Sequence, residues 1–158
     1  MQNNDVTIID NYWMKKALLL AKKCLENDEV PVGALLVKDE KLISSAFNMP
    51  ISGCDPTAHA EILTLRNAGK LLQNYRLPDT TLYVTIEPCT MCIGAIIHAR
   101  VSRLVYGATE PKSGAVVSHL KLPNQAHYNH IFQVKGGVMK KEASELMTNF
   151  FRAKRSLR

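Results

Sequence analysis

TLYVTIEPCTMCIGAIIHARVSRLVY, residues 81–106, decides the fold. Residues 81–86 have the β-branched and aromatic content of a strand. Pro88 lacks an N–H and can open a helix at no hydrogen-bond cost. Ile93, Ile96 and Ile97 continue that helix as an almost wholly apolar surface, which requires burial on both sides or a subunit contact. Residues 103–106 read as the next strand. Strand, helix and strand in succession imply parallel pairing across a helical connection.

Working outward from this unit, residues 132–135 form a shorter fifth strand. Towards the N-terminus, Asp10 is placed to cap a helix running to about residue 26, with Trp13, Ala17, Leu20, Ala21 and Cys24 on one packing face. Glu29-Val30-Pro31 breaks it. Residues 32–37 and 42–48 read as two antiparallel strands joined by the tight polar connection Lys38-Asp39-Glu40-Lys41. An irregular loop from Asn48 through Pro50, Gly53 and Pro56 ends at His59, and residues 58–68 form a helix stopped at Gly69. The expected architecture is α/β, a mixed five-stranded sheet with helices on both faces.

Two short pieces carry the chemistry. Cys89 and Cys92 share a helical face in a first turn, where open N–H groups and the helix dipole favour thiolate, the metal-binding form. His59 and Glu61 are two apart, about 200° of helical rotation, so they converge on one object only if it lies beyond the helix N-terminus. His59, Cys89 and Cys92 make three ligands. A structural zinc site closes with four, whereas a catalytic site leaves the fourth position to water. The set therefore points to one zinc-activated water with Glu61 as its acid/base. Cys54, five residues before His59, is the thiol whose loop could supply a fourth ligand and make the site structural. His98 is expected in the core or at an interface. His119, His127 and His130, on the long connection 107–130, lack ligand spacing and suit surface or RNA-contact roles.

At 158 residues, 46% hydrophobic and 22% charged, the chain has the size and composition of one globular domain, residues 1–158. No apolar run approaches the ~20 residues of a membrane span, and residues 1–5 are polar without the pattern of a signal peptide. Thiolate ligands and no signal sequence point to a reducing cytoplasm. From Lys135 onward seven basic residues face Glu142 and Glu145, a net of +5 out of +6 for the whole chain. A basic C-terminal helix of this kind suits a polyanion, and equally suits a solvated helix end complementing its own dipole.

His59-Ala60-Glu61 with Pro88-Cys89-Thr90-Met91-Cys92 is the recognised signature of zinc nucleobase deaminases. Together with Glu29 to Gly33, Asn48, Asp55 to Ala58 and the ending Phe150-Phe151-Arg152, it resembles the bacterial tRNA-specific adenosine deaminases over essentially the whole chain. The resemblance implies a homodimer of a three-layer α/β/α fold with one Zn2+ per subunit on His59, Cys89 and Cys92. It implies Glu61 as general acid/base and a tRNA anticodon stem-loop as substrate, whose wobble adenosine becomes inosine. Val30, Asn48, Ala60 and a C-terminal Phe, either Phe151 or its neighbour Phe150, would meet the base, with Pro88, Glu110, Lys112, Ser113 and Arg152 as further RNA contacts. The family usually has Asp where this chain has Glu110. Two other readings share the motif: a free-base deaminase acting on guanine or cytosine, and a non-catalytic zinc scaffold that binds RNA or a partner subunit. Glu61 argues against the scaffold, which has no use for an acid/base beside an open position.

Overall fold

The computed structural model describes residues 3–156, and the deciding stretch folds as its spacing implies. Strand β3 (Thr81–Ile86) leads into helix α3 (Thr90–His98), which returns the chain to strand β4 (Arg103–Ala108), parallel to β3. Upstream lie helix α1 (Asn3–Lys23), strands β1 (Gly33–Lys38) and β2 (Lys41–Phe47), and helix α2 (Ala60–Leu72). Downstream lie strand β5 (Gln133–Lys135) and helix α4 (Lys140–Ser156). The sheet order is β2-β1-β3-β4-β5, with β1 antiparallel to both neighbours and β3, β4 and β5 mutually parallel.

Strand alternation assigns the layers. Tyr83, paired with Leu35 and Val105, reaches α1 through a 2.9 Å hydrogen bond to Asp10. Gly107, two residues on from Val105, packs against Ala143 of α4. The alternate residues Leu36, Leu82, Val84 and Leu104 face α2 and α3, which touch each other. The result is the expected three-layer α/β/α sandwich around a mixed five-stranded sheet. Ile93, Ile96 and Ile97 are all buried within the chain, so the apolar run of α3 needs no second subunit to cover it. The hairpin turn places Asp39 and Glu40 at φ 49° and 57°, the mirror-image turn that follows strand twist.

Three boundaries differ from the sequence expectation. Asp10 caps nothing: α1 begins at Asn3 and ends at Lys23, followed by a 3-10 turn, and Asp10 lies inside it as a buried carboxylate. Helix α2 runs past Gly69 to Leu72. Gln73, at φ 51°, closes it, and the backbone N–H groups of Gln73 and Asn74 return to the Gly69 carbonyl. Pro88 precedes the cap of α3 and does not open its first turn. Of the polar start and the basic end of the chain, Met1, Gln2 and Arg158 lie outside the described residues. Among the described residues no helix is long and apolar enough to cross a membrane.

The Asp10 carboxylate accepts two 2.8 Å bonds from Arg103, one of 2.8 Å from Lys135 and that of Tyr83. It thus ties α1 to β3, β4 and β5. Burial alone would raise its pKa, but the bonds from Arg103, Lys135 and Tyr83 outweigh burial and hold it below 3.8. A carboxyl depressed in the folded state stabilises the fold above its ordinary pKa and loses that contribution as pH falls through the lower folded value. Asp10→Asn is expected to cost about 3 kcal/mol at neutral pH, the lower range for breaking a buried pair because Arg103 and Lys135 keep some solvent. That corresponds to roughly 10 °C in the melting midpoint. Thermal unfolding followed by circular dichroism checks this, and the difference from wild type should shrink below about pH 4.

Candidate metal centre and adjoining cavities

Helices α2 and α3 begin at the same place, because Phe47, Ile86 and Ala108 all lie at one edge of the sheet. Their N-cap residues are His59 (φ −71°, ψ 149°) and Cys89 (φ −78°, ψ 175°). N-cap side chains usually turn back onto the first free N–H groups. Neither of these does. The His59 ring and the Cys89 thiol point at each other instead, and Cys92, one turn into α3, completes a triangle.

His59 Nδ1 lies 3.7 Å from Cys89 Sγ and 3.6 Å from Cys92 Sγ, and the two sulfurs are 3.7 Å apart. A tetrahedral zinc with bonds of roughly 2.3 Å to sulfur and about 2.0 Å to nitrogen spaces two sulfurs by ~3.8 Å and sulfur from nitrogen by ~3.5 Å. The three donor atoms therefore fit a zinc ion without rearrangement. Among the described residues they form the one such group of His, Cys, Asp or Glu. Cys54 is exposed on its loop, its thiol directed at the Ile51 carbonyl, and is not part of that group.

The electrostatics follow from crowding. The Cys92 hydrogen bond, with help from His59, pulls the Cys89 thiol down to about 4, while the same contact and burial push Cys92 strongly upward. The Cys89 contact raises His59. Burial pushes the Glu61 carboxyl up to about 7, and the negative Cys89 adds to the effect.

Asn48 supplies what His59 does not. Its Oδ1 accepts a 2.9 Å bond from the Ala60 N–H and so caps α2 from outside the helix. A cavity of about 200 Å³ opens beside the triangle, lined by Val30, Val32, Asn48, Pro50, His59, Glu61, Ile86, Glu87, Cys89, Glu110 and Ser113. A second cavity of about 320 Å³ shares Ile86 and Glu110 with it and is lined further by Lys112, Lys140, Met147 and Phe151.

The sequence candidates thus separate into groups. Val30, Asn48, His59, Glu61, Cys89, Glu110 and Ser113 line the first cavity, with Cys92 buried beneath. Lys112 and Phe151 line the second, whereas Phe150 lies under Lys154, which pairs with Asp28. Pro88 is buried and offers its carbonyl to Ala115 N, and Arg152 is exposed on α4; neither lines a cavity. Ala60 contributes only the N–H already held by Asn48. His98 is exposed in the single chain, on the outward side of a helix whose isoleucines point inward, so it is not a core residue. His119 and His130 bond the Pro111 and Val101 carbonyls, and His127 stacks on Tyr128.

One residue escaped the sequence reading. Glu87 is a buried carboxylate on the cavity wall, collecting backbone N–H groups from the 109–132 connection. Burial alone would raise its pKa, but the Ser118 hydroxyl and these N–H groups hold it low. The available signal was an acidic residue directly after a strand of β-branched, aromatic and aliphatic residues.

Comparison with known proteins agrees with this geometry. The description "Cytidine and deoxycytidylate deaminase zinc-binding region" matches residues 7–108. The chain is 48% identical to the tRNA-specific adenosine deaminase of Haemophilus influenzae, over 92% of this chain and 85% of that one. It is 41% identical to the one of Bacillus subtilis, over 90% and 89%. Among solved structures, one from a study of A-to-I editing by tRNA:A34 deaminases superposes with a TM-score of 0.83 at 44% identity, covering 85% of this chain and 98% of the other. A guanine deaminase from Nitrosomonas europaea, at TM-score 0.69 and 24% identity over 87% of this chain and 81% of that one, shares the fold.

If the triangle holds zinc, Cys89→Ala and Cys92→Ala each lose most of the bound metal on purification, while Cys54→Ala keeps it. Zinc released on denaturation and read with a chromogenic chelator decides this, and stoichiometric zinc in Cys89→Ala overturns the ligand set.

Proposed function

The chain belongs to the zinc-dependent cytidine and deoxycytidylate deaminase family, among its tRNA-specific adenosine deaminases, and on that premise we propose that it converts the wobble adenosine of a tRNA anticodon to inosine. The observation that carries the reading is the buried Glu61 carboxyl beside three zinc-spaced donor atoms, at the floor of a cavity open to a base.

His59, Cys89 and Cys92 would hold a zinc ion, one per subunit. Zinc there would supply a water whose pKa is lowered from about 15.7 to roughly 7, and so a hydroxide at neutral pH. Glu61, fixed in the first turn of α2, takes the proton released as water adds to C6 of adenine and passes it to N1. It then takes the remaining proton of the hydroxyl added at C6 and delivers it to the departing amine, so that adenosine and water give inosine and ammonia. Val30 and Ile86 flank the base. Asn48 is held in place by its Oδ1, which accepts from Ala60 N and leaves its Nδ2 amino group for the purine edge.

A base paired in a duplex hides C6, so the substrate is an unpaired loop nucleotide. Lys112, Lys140 and Phe151 around the second cavity, with Arg152 and Arg155 exposed on α4, supply cationic and aromatic contacts for the neighbouring backbone and bases. Identity of 41 to 48% to tRNA-specific deaminases sets this reading above a free-base deaminase. In this reading residues 1–158 are one catalytic unit working in the cytoplasm.

The unit is proposed to act as a homodimer. A groove of about 730 Å³ between α2 and α3 is walled by Ile62, Leu65, Ala95 and His98 beside the exposed Tyr75, an apolar face of the kind two copies cover. Ala95→Arg is expected to shift the protein from dimer to monomer in sedimentation equilibrium. A dimer of unchanged affinity assigns its interface elsewhere.

The function is tested on a synthetic anticodon stem-loop with a wobble adenosine, beside free guanine and cytosine. Inosine in the stem-loop alone is expected, and product only from a free base overturns the substrate. Glu61→Gln should retain zinc and lose about 10²–10⁴-fold in kcat, the usual share of general acid–base catalysis. Near-wild-type turnover in that zinc-loaded variant removes Glu61 from the proton path.

A further inference from the structure

We infer that Glu87 is a positioning residue for the substrate, its carboxylate setting the place of Glu110 and Ser113 on the cavity wall by clamping the 110–118 segment at both ends. The inference rests on the deaminase reading above.

Glu87 is 3% exposed at the end of β3. Its Oε1 accepts bonds of 3.0, 2.8 and 3.0 Å from the N–H groups of Val116, Val117 and Ser118. Its Oε2 accepts a 3.0 Å bond from Glu110 N and another from the Ser118 hydroxyl. All five donors belong to the connection 109–132, whose regular structure is a single 3-10 turn at Leu122–Asn124. One carboxylate thus replaces the partners that a strand or helix would have given these N–H groups.

Between the two clamped ends lies the turn that reaches the cavities. Gly114 N bonds the Glu110 carbonyl at 2.9 Å, and the Glu110 side chain accepts Lys112 N at 2.9 Å. A Cβ built on Gly114 would lie 2.4 Å from the Glu87 carboxyl and 2.6 Å from the Glu110 carbonyl, so this close approach admits glycine alone. Further out, Ala115 N bonds the Pro88 carbonyl and Gly114 bridges Cys89. Glu61 and the donor triangle, by contrast, are carried by α2 and α3. Releasing the clamp therefore loosens the wall that meets the nucleotide and leaves the proton path in place, so the cost falls on substrate binding.

The test is Glu87→Gln. Its amide nitrogen at the Oε2 position would face Glu110 N, donor against donor, while the oxygen keeps the other three N–H bonds. The expected result is unchanged zinc content, a KM for the stem-loop raised about tenfold with kcat within about threefold, read as a loss of binding. Hydrogen exchange should show protection lost across 110–118 and kept in β3 and β4. Gly114→Ala, whose methyl crowds the same contact while the carboxylate itself is kept, should reproduce both effects and serves if Glu87→Gln does not fold. Unchanged KM at full zinc overturns the proposal, as does loss of zinc or loss of protection throughout the sheet, since either marks Glu87 as merely structural. Wild-type protein inactive on the stem-loop would instead overturn the function reading.

Discussion

Two helix N-termini converge on one point, and the rest of the structure accommodates that convergence. Each helix start carries unpaired N–H groups and the positive end of a dipole, so bringing two together is unfavourable unless negative charge sits between them. Cys89, pulled towards its thiolate, occupies that position, and His59 and Cys92 close around it. Because the cap residues are turned towards each other, neither caps its own helix, and Asn48 must reach across from the end of β2 to satisfy Ala60. The parallel β3–β4 pair makes the arrangement possible: a crossover helix has to start where β3 ends, at the same end of the sheet where α2 begins.

Two buried carboxylates solve the same problem of desolvation in opposite ways. Asp10, on the far side of the sheet, is neutralised by Arg103 and Lys135. Glu87, next to the donor triangle, is held by backbone dipoles and a hydroxyl and no cation. A guanidinium in that place would add a formal positive charge beside the donor triangle, whereas N–H groups hold the carboxylate without adding one.

The β3-α3-β4 unit, the hairpin and the donor triangle were legible in the sequence because each rests on local spacing: a strand period, a proline, an i,i+3 cysteine pair. What was not legible depends on residues distant in the chain. Asp10 has the composition of an N-cap, and only Arg103 and Lys135, some 93 and 125 positions away, convert it into an ion-pair hub. Gly69 has the identity of a helix stop, yet the closing bonds land on its carbonyl from Gln73 and Asn74. Glu87 stands beside Pro88 and the cysteine pair with no spacing to mark a role of its own, since its partners lie in the one long segment that has no hydrophobic period.

Ile86 and Glu110 line both cavities at once. Substitutions there change two chambers together, so their effects will not add to those of Val30 on one side or Phe151 on the other. Any effort to redirect this scaffold therefore meets positions of two kinds. Val30 and Asn48, or Phe151 and Lys140, can be varied as independent libraries, one chamber at a time. Ile86 and Glu110 must be varied jointly with both, and an adaptive path that alters one chamber through them carries the other along.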